Sequence, residues 1–238
     1  MKLTYYGYNA FIIEGEGKTI ILDPGQDLRW RRLNSLIPRQ LWERADLILV
    51  THGDADHAEY APRVARASGA PIVCGPPLAK QWRRKGLTVV SIAPGETVEV
   101  NGISIRGVPT QHGGLTFTLP GRTFTFKPGK VGLGAIAFLF TLEGKSLLNL
   151  GDTLLLEEAW RGLRPDVLMV PIGGMMTMDV EAALRVVEVI SPQMVIPVHY
   201  DWDILFYHRP ADVDGFVARV RELGCEPIPL ARDQTLEL

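Results

Sequence analysis

Short apolar runs broken by turn residues dominate the first half of the chain and predict strands at Lys2–Tyr5, Phe11–Glu14 and Thr19–Leu22. Asp46–Thr51 differs, because its Leu-Ile-Leu-Val centre is unbroken apolar sequence of the kind found in strands covered on both faces. Helical pattern is sparser: Glu59–Ser68 is alanine-rich and ends at Gly69, and Leu78–Lys85 is stopped by Gly86. The β series resumes at Val89–Ile92, Thr97–Val100, Ile103–Val108, Ala135–Leu142 and Ser146–Asn149, with Asn101-Gly102 and Glu143-Gly144 as hairpin turns. The second half then repeats an arrangement of the first. Asp46–Thr51, a polar loop, Glu59–Ser68 and Ile72–Val73 form one strand–helix–strand unit; Asp166–Pro171, a loop, Asp179–Ile190 and Met194–Val198 form another, with Asp179 as helix cap and Ser191-Pro192 as its stop. Two such units without a linker predict one α/β domain over residues 1–238: two stacked mixed β-sheets with helices on the outer faces, a four-layer αβ/βα sandwich whose polar strand ends meet at one edge.

Composition narrows the partners. The chain has 238 residues, 46% of them hydrophobic, enough for a real core, and a net charge of −2 that argues against nucleic acid as the main partner. The basic-aromatic runs Arg29-Trp30-Arg31-Arg32 and Gln81-Trp82-Arg83-Arg84-Lys85 accordingly read as solvated helix faces. The longest uncharged stretches, Val131–Leu142 and Val167–Met178, fall short of the roughly 18–20 residues of a membrane-spanning helix. The only apolar run near the N-terminus, Ala10–Ile13, is too short for a signal-peptide core, so the mature chain is expected to start at Met1. Cys74 and Cys225 do not form a disulfide framework and read as ordinary buried thiols, which places the protein in the cytoplasm.

Four of the five histidines fall at the ends of expected strands, and two occupy one six-residue window, His52-Gly53-Asp54-Ala55-Asp56-His57. Two imidazoles and two carboxylates within reach of one point are the ligand types of first-row metal ions. A serine nucleophile is not indicated, since no GxSxG occurs and no serine adjoins any of these histidines. Gly173-Gly174 lacks the spacing of a phosphate-cradling loop or dinucleotide fingerprint, so no nucleotide cofactor is implied.

The window resembles the HxHxDH signature of the metallo-β-lactamase superfamily, and further matches follow in order: His112 in Val108-Pro109-Thr110-Gln111-His112, Asp152 in Leu150-Gly151-Asp152-Thr153, and His199 in Ile196-Pro197-Val198-His199-Tyr200. Tyr6-Gly7-Tyr8-Asn9 and Pro171–Met178 are similar to the branch containing L-ascorbate-6-phosphate lactonase and related metal-dependent hydrolases, in which the two glycines would shape the pocket floor. The resemblance implies two divalent ions per chain, zinc or manganese with iron as an alternative. His52, Asp54 and His112 would hold one, Asp56, His57 and His199 the other, with Asp152 bridging; Asp56 and Asp152 are the expected catalytic carboxylates. Two positions depart from the family: Asp54 stands where it has His, and Tyr8 where this branch commonly has His.

The implied reaction is hydrolysis of a small ester, lactone or phosphoester by a water activated on the metals, whose pKa falls from about 15.7 toward 7. Asp54 lowers the charge of such a centre by one unit and favours harder ions, so a more alkaline optimum is expected than with His at this position. Tyr8, His208 and Arg122 are candidate substrate contacts, and Trp202 reads as packing. Arg122 belongs to the stretch Thr116–Gly132, whose alternation at Thr123–Phe126 predicts a hairpin able to receive an anionic substrate or to join two copies of the chain. Competing readings are a phosphodiesterase or nuclease of the same superfamily, and a non-catalytic binding module in which Asp54 marks a degenerate site.

Overall fold

The computed structural model describes residues 1–28, 33–119, 122–129, 131–200 and 211–238. The first sheet contains β1 (Lys2–Gly7), β2 (Ala10–Gly15), β3 (Lys18–Leu22), β4 (Leu47–Val50), β5 (Ile72–Cys74) and β6 (Val89–Ser91), in sequence order across the sheet. The second is built from β7 (Thr97–Val100), β8 (Ile103–Val108), β11 (Ala137–Leu142), β12 (Lys145–Asn149), β13 (Val167–Pro171), β14 (Met194–Val198) and β15 (Glu226–Pro227). Between β8 and β11, β9 (Leu115–Leu119) and β10 (Arg122–Phe126) pair as a separate antiparallel hairpin, as the alternation of Thr and Phe predicts. β16 (Thr235–Glu237) returns to the outer edge of the first sheet beside β1, and the Leu238 amide donates to the Met1 carbonyl at 2.9 Å.

Each sheet is mixed. Its first strands are antiparallel meanders joined by tight turns, and its last are parallel and joined by helices. The turns at Asn101-Gly102 and Glu143-Gly144 have positive φ at both residues, which explains their sequences. The apolar run in β4 is unbroken because both faces are covered. Leu47 and Leu49 enter the layer between the sheets, where they join Phe11, Ile20, Phe138 and Phe140; Ile48 and Val50 face the helix layer with Val64, Leu78 and Trp82. On the second sheet Leu168, Val170 and Val195 meet Leu184, Val187 and Ile190 of α5 (Val180–Ile190) together with Phe216 and Val220 of α6 (Val213–Glu222). Fully burying one such side chain contributes about 1.5–3 kcal/mol. The three apolar layers therefore hold the strand ends in fixed relation.

The helix expected over Glu59–Ser68 is instead two pieces, α1 (Ala55–Ala58) and α2 (Ala61–Ser68). The metal-ligand window itself turns helical just after Asp54, so His57 lies in a helical turn rather than at a strand end. Trp82 points into the core from α3 (Pro76–Arg83), 4% exposed, so the run Gln81–Lys85 is not a uniformly solvated face; the run 29–32 lies outside the described residues. Sequence reading assigned neither α6 nor the short α4 (Glu157–Trp160). Asp179 caps α5 by accepting from the Ala182 amide at 2.9 Å, Ser191 ends that helix in the left-handed region, and both cysteines are free and buried. No described helix is long and apolar enough to cross a membrane.

Candidate metal centre

β8 and β12 both run antiparallel to β11, so they share a direction with each other and with β13 and β14, and their C-terminal ends open on one edge. Loops leaving those ends carry His112, Asp152 and His199. From the facing sheet, β4 delivers Thr51 and His52, and the single turn of α1 adds Asp56 and His57. Seven side chains, four from the window 52–57 and three from distant loops, thus meet around a small volume. Asp54 Oδ2 lies 3.7 Å from His52 Nε2 and 3.4 Å from His112 Nε2. Asp56 Oδ2 lies 3.5 Å from His57 Nε2 and 3.4 Å from His199 Nε2. Asp152 stands between the two groups, 3.4 Å from His57, 3.2 Å from His199 and 3.8 Å from His112. Three sets, His52–Asp54–His112, Asp56–His57–His199 and His52–His57–Asp152, can each offer ligand atoms within 4.8 Å of one another.

The far sides of the rings are already engaged. His112 Nδ1 faces the Gly113 carbonyl at 2.7 Å, which only accepts, so that nitrogen carries the proton. His57 Nδ1 lies 2.7 Å from the Asp23 carboxylate. Thr51 Oγ1 spends its one hydrogen on Asp23 Oδ2 at 2.6 Å and therefore accepts from His52 Nδ1 at 3.1 Å. Whenever these three rings are neutral, the Nε2 lone pair points inward. Among the described residues Nε2 of His52, His57 and His112 and Oδ1 of Asp152 are buried without a hydrogen-bond partner. Leaving such atoms unmet costs about 1–3 kcal/mol each, and a convergent set of lone pairs is what a divalent cation satisfies.

Sequence reading missed the residue that organises this shell. Asp23, fully buried at the end of β3 with φ of +44°, accepts from Asn9 Nδ2 at 2.7 Å and the Thr51 amide at 2.7 Å, besides Thr51 Oγ1 and His57. Its only signal in the sequence is an acidic residue closing an apolar strand before Pro24-Gly25. Gly173 backs the site on the other sheet, since a Cβ there would stand 2.0 Å from the His199 carbonyl oxygen.

Charge sharing within the cluster is strong when no cation is present. Burial opposes a charged His57, but the carboxylates of Asp152, Asp56 and Asp23 outweigh it and lift the imidazole to about 10. His199 is raised in the same way, against burial, chiefly by Asp152 and Asp56. Asp56 falls to about 2 because His57 and His199 overcome its burial. His52 is held well below the usual histidine range by burial and by the other three imidazoles. Ring nitrogens must be deprotonated to ligate, so cation binding at neutral pH is expected to expel the protons of His57 and His199. The sign follows: affinity rises with pH until the raised His57 value is passed. Adding a divalent salt to metal-free protein in weak buffer near pH 7.5 should release between one and two protons per chain, and no release would show that these rings do not ligate.

The other candidates fare differently. Tyr8 is fully buried. Its ring lies 5.6 Å from that of His199, the Arg232 guanidinium carbon sits 5.2 Å from the Tyr8 ring centre, over the ring, and the Tyr8 carbonyl accepts from the His199 amide at 2.8 Å. Arg122 is exposed on β10 with its guanidinium 5.0 Å over Phe124, and no described hydrogen bond or ion pair joins it to the cluster. His208 and Trp202 lie outside the described residues.

Comparison with known proteins agrees with this architecture. Residues 2–199 match the family profile described as the beta-lactamase superfamily domain. A UPF0173 metal-dependent hydrolase of Archaeoglobus fulgidus is 31% identical, covering 100% of this chain and 99% of that protein. Another, of Pelotomaculum thermopropionicum, is 32% identical, covering 91% and 92% respectively. A solved metallo hydrolase of the hyperthermophilic archaeon Ignicoccus hospitalis superposes with a TM-score of 0.80 at 25% identity, covering 100% of this chain and 98% of that one. Two mixed sheets under outer helices, a ring of inward-facing imidazoles and carboxylates at their shared edge, and these matches place the chain in the metallo-β-lactamase superfamily, among the UPF0173 metal-dependent hydrolases.

Proposed function

We propose that the cluster is a dinuclear metal centre and that the protein hydrolyses a small ester, lactone or phosphoester. The observation that carries this reading is the set of buried, unpartnered Nε2 atoms of His52, His57 and His112 converging with Asp152 Oδ1. His52, Asp54 and His112 would hold one cation and Asp56, His57 and His199 the second, with Asp152 shared. When bound, the cations supply Lewis acidity and lower the pKa of water from about 15.7 toward 7.

The chain's own residues do the rest. Asp23 and Thr51 fix the ring planes of His57 and His52, so the donor atoms are in place before binding. The carboxylates of Asp56 and Asp152, both buried beside the imidazoles, would accept the proton of an attacking water. No side-chain nucleophile is needed. The test is a panel of aryl esters, lactones, phosphomonoesters and phosphodiesters, with protein reconstituted with manganese or zinc and with the Asp152→Asn variant. The reading expects turnover of at least one class that chelation and Asp152→Asn both abolish; turnover insensitive to chelation would refute it. On that substrate Asp54→His, which removes one negative charge from the centre, should move the pH–rate optimum to lower pH, and coincident profiles would remove the charge argument.

A further inference from the structure

Asp54 is the least buried of the seven clustered side chains, and its two oxygens have different surroundings. Oδ2 faces His52 and His112. Oδ1 accepts from the Gly132 amide at 2.8 Å. That amide is placed by a stitched segment: the Gly53 amide donates to the Leu133 carbonyl at 3.0 Å, and the Ile136 amide to the Thr51 carbonyl at 2.9 Å. Gly132 itself has φ of +66°, and a Cβ there would stand 2.3 Å from His112 Cγ. The chain that follows the β9–β10 hairpin therefore runs tightly along the His52–Asp54 loop, touching one member of this set through a hydrogen bond and another by close packing.

Resting on the metal-centre reading, we propose that the Gly132 amide makes Asp54 a one-oxygen donor, and that this lock is the determinant that turns the His52–Asp54–His112 position toward manganese(II) or iron(II) relative to zinc. With one carboxylate oxygen committed to the backbone, a cation there would meet two imidazole nitrogens and one Asp54 oxygen, besides the shared Asp152 carboxylate. Exchanging an imidazole nitrogen for a carboxylate oxygen in such a set turns it from zinc toward harder ions such as manganese(II) and iron(II). The Asp56–His57–His199 set has the same composition, so Asp54 makes the two positions alike in donor type.

The experiment measures binding rather than turnover. Metal-free wild type, Asp54→His and Asp54→Asn would be titrated with manganese(II), counting free ion by its electron paramagnetic resonance signal, and with zinc(II) against a chromogenic chelator. Wild type should bind two equivalents of manganese. In Asp54→His the zinc-to-manganese affinity ratio at the weaker position should rise at least about tenfold. Asp54→Asn retains an acceptor for Gly132 but presents no anionic oxygen, so it should lose one equivalent while its circular dichroism is unchanged. A ratio within twofold of wild type in Asp54→His, or two equivalents retained by Asp54→Asn, overturns the role of Asp54. Failure of wild type to bind any metal overturns instead the reading of the whole cluster.

Discussion

Removing divalent cations with a chelator is expected to lower the melting temperature by about 10 °C. Asp54, Asp56 and Asp152 crowd one small volume together with four imidazoles, and the Nε2 atoms of His52, His57 and His112 are buried there without a hydrogen-bond partner, at a cost. A cation that binds only the folded chain stabilises it by about 4 kcal/mol at a thousand times its Kd. For a domain of this size each kcal/mol moves the midpoint by about 2–4 °C. Protons on His57 and His199 offset part of the carboxylate repulsion in the metal-free state, which keeps the expected loss from being larger. Differential scanning calorimetry of the holo and chelated forms is the measurement; equal midpoints would mean that these side chains do not ligate.

The second large effect concerns a residue outside the ligand set. Asp23→Ala should destabilise the protein by at least about 3 kcal/mol, because it leaves the Thr51 amide, Asn9 Nδ2 and His57 Nδ1 buried without their acceptor at about 1–3 kcal/mol apiece. It should also weaken cation binding about 10- to 100-fold, since the ring that offers Nε2 is no longer oriented from behind. Asp23→Asn fills the same space, yet either orientation of its amide sets an N–H against an existing donor, so its affinity should fall as well. Denaturant melts report the first effect and metal titrations the second. A loss of stability with unchanged metal affinity would reduce Asp23 to a structural residue.

These two cases mark where sequence reading reaches and where it stops. The window His52–His57 is legible because four candidate ligands are covalently close, and the αβ/βα architecture is legible because β4 and β13 read as strands covered on both faces. Asp23 is not legible in the same way: its importance comes from four donors on three residues of other segments, Asn9, Thr51 and His57, that converge only in the folded chain. The Gly132 amide is a backbone group and leaves no mark on composition. Tyr8 reads from the sequence as a candidate substrate contact, but that its ring is buried beside His199 follows from the backbone turn at Gly7-Tyr8, which the sequence does not display. α6 carries a 3.6-residue pattern in Val213, Phe216, Val217 and Val220 with Asp212 as its cap, a signal that Gly215 within the helix weakens.

The most direct test of the whole account is an anomalous-scattering map from crystals grown with manganese or zinc. Two peaks roughly 3.5–4 Å apart are predicted, one beside His52, Asp54 and His112 and the other beside Asp56, His57 and His199, with Asp152 touching both. Fully metal-supplemented crystals showing no peak among these side chains would contradict it.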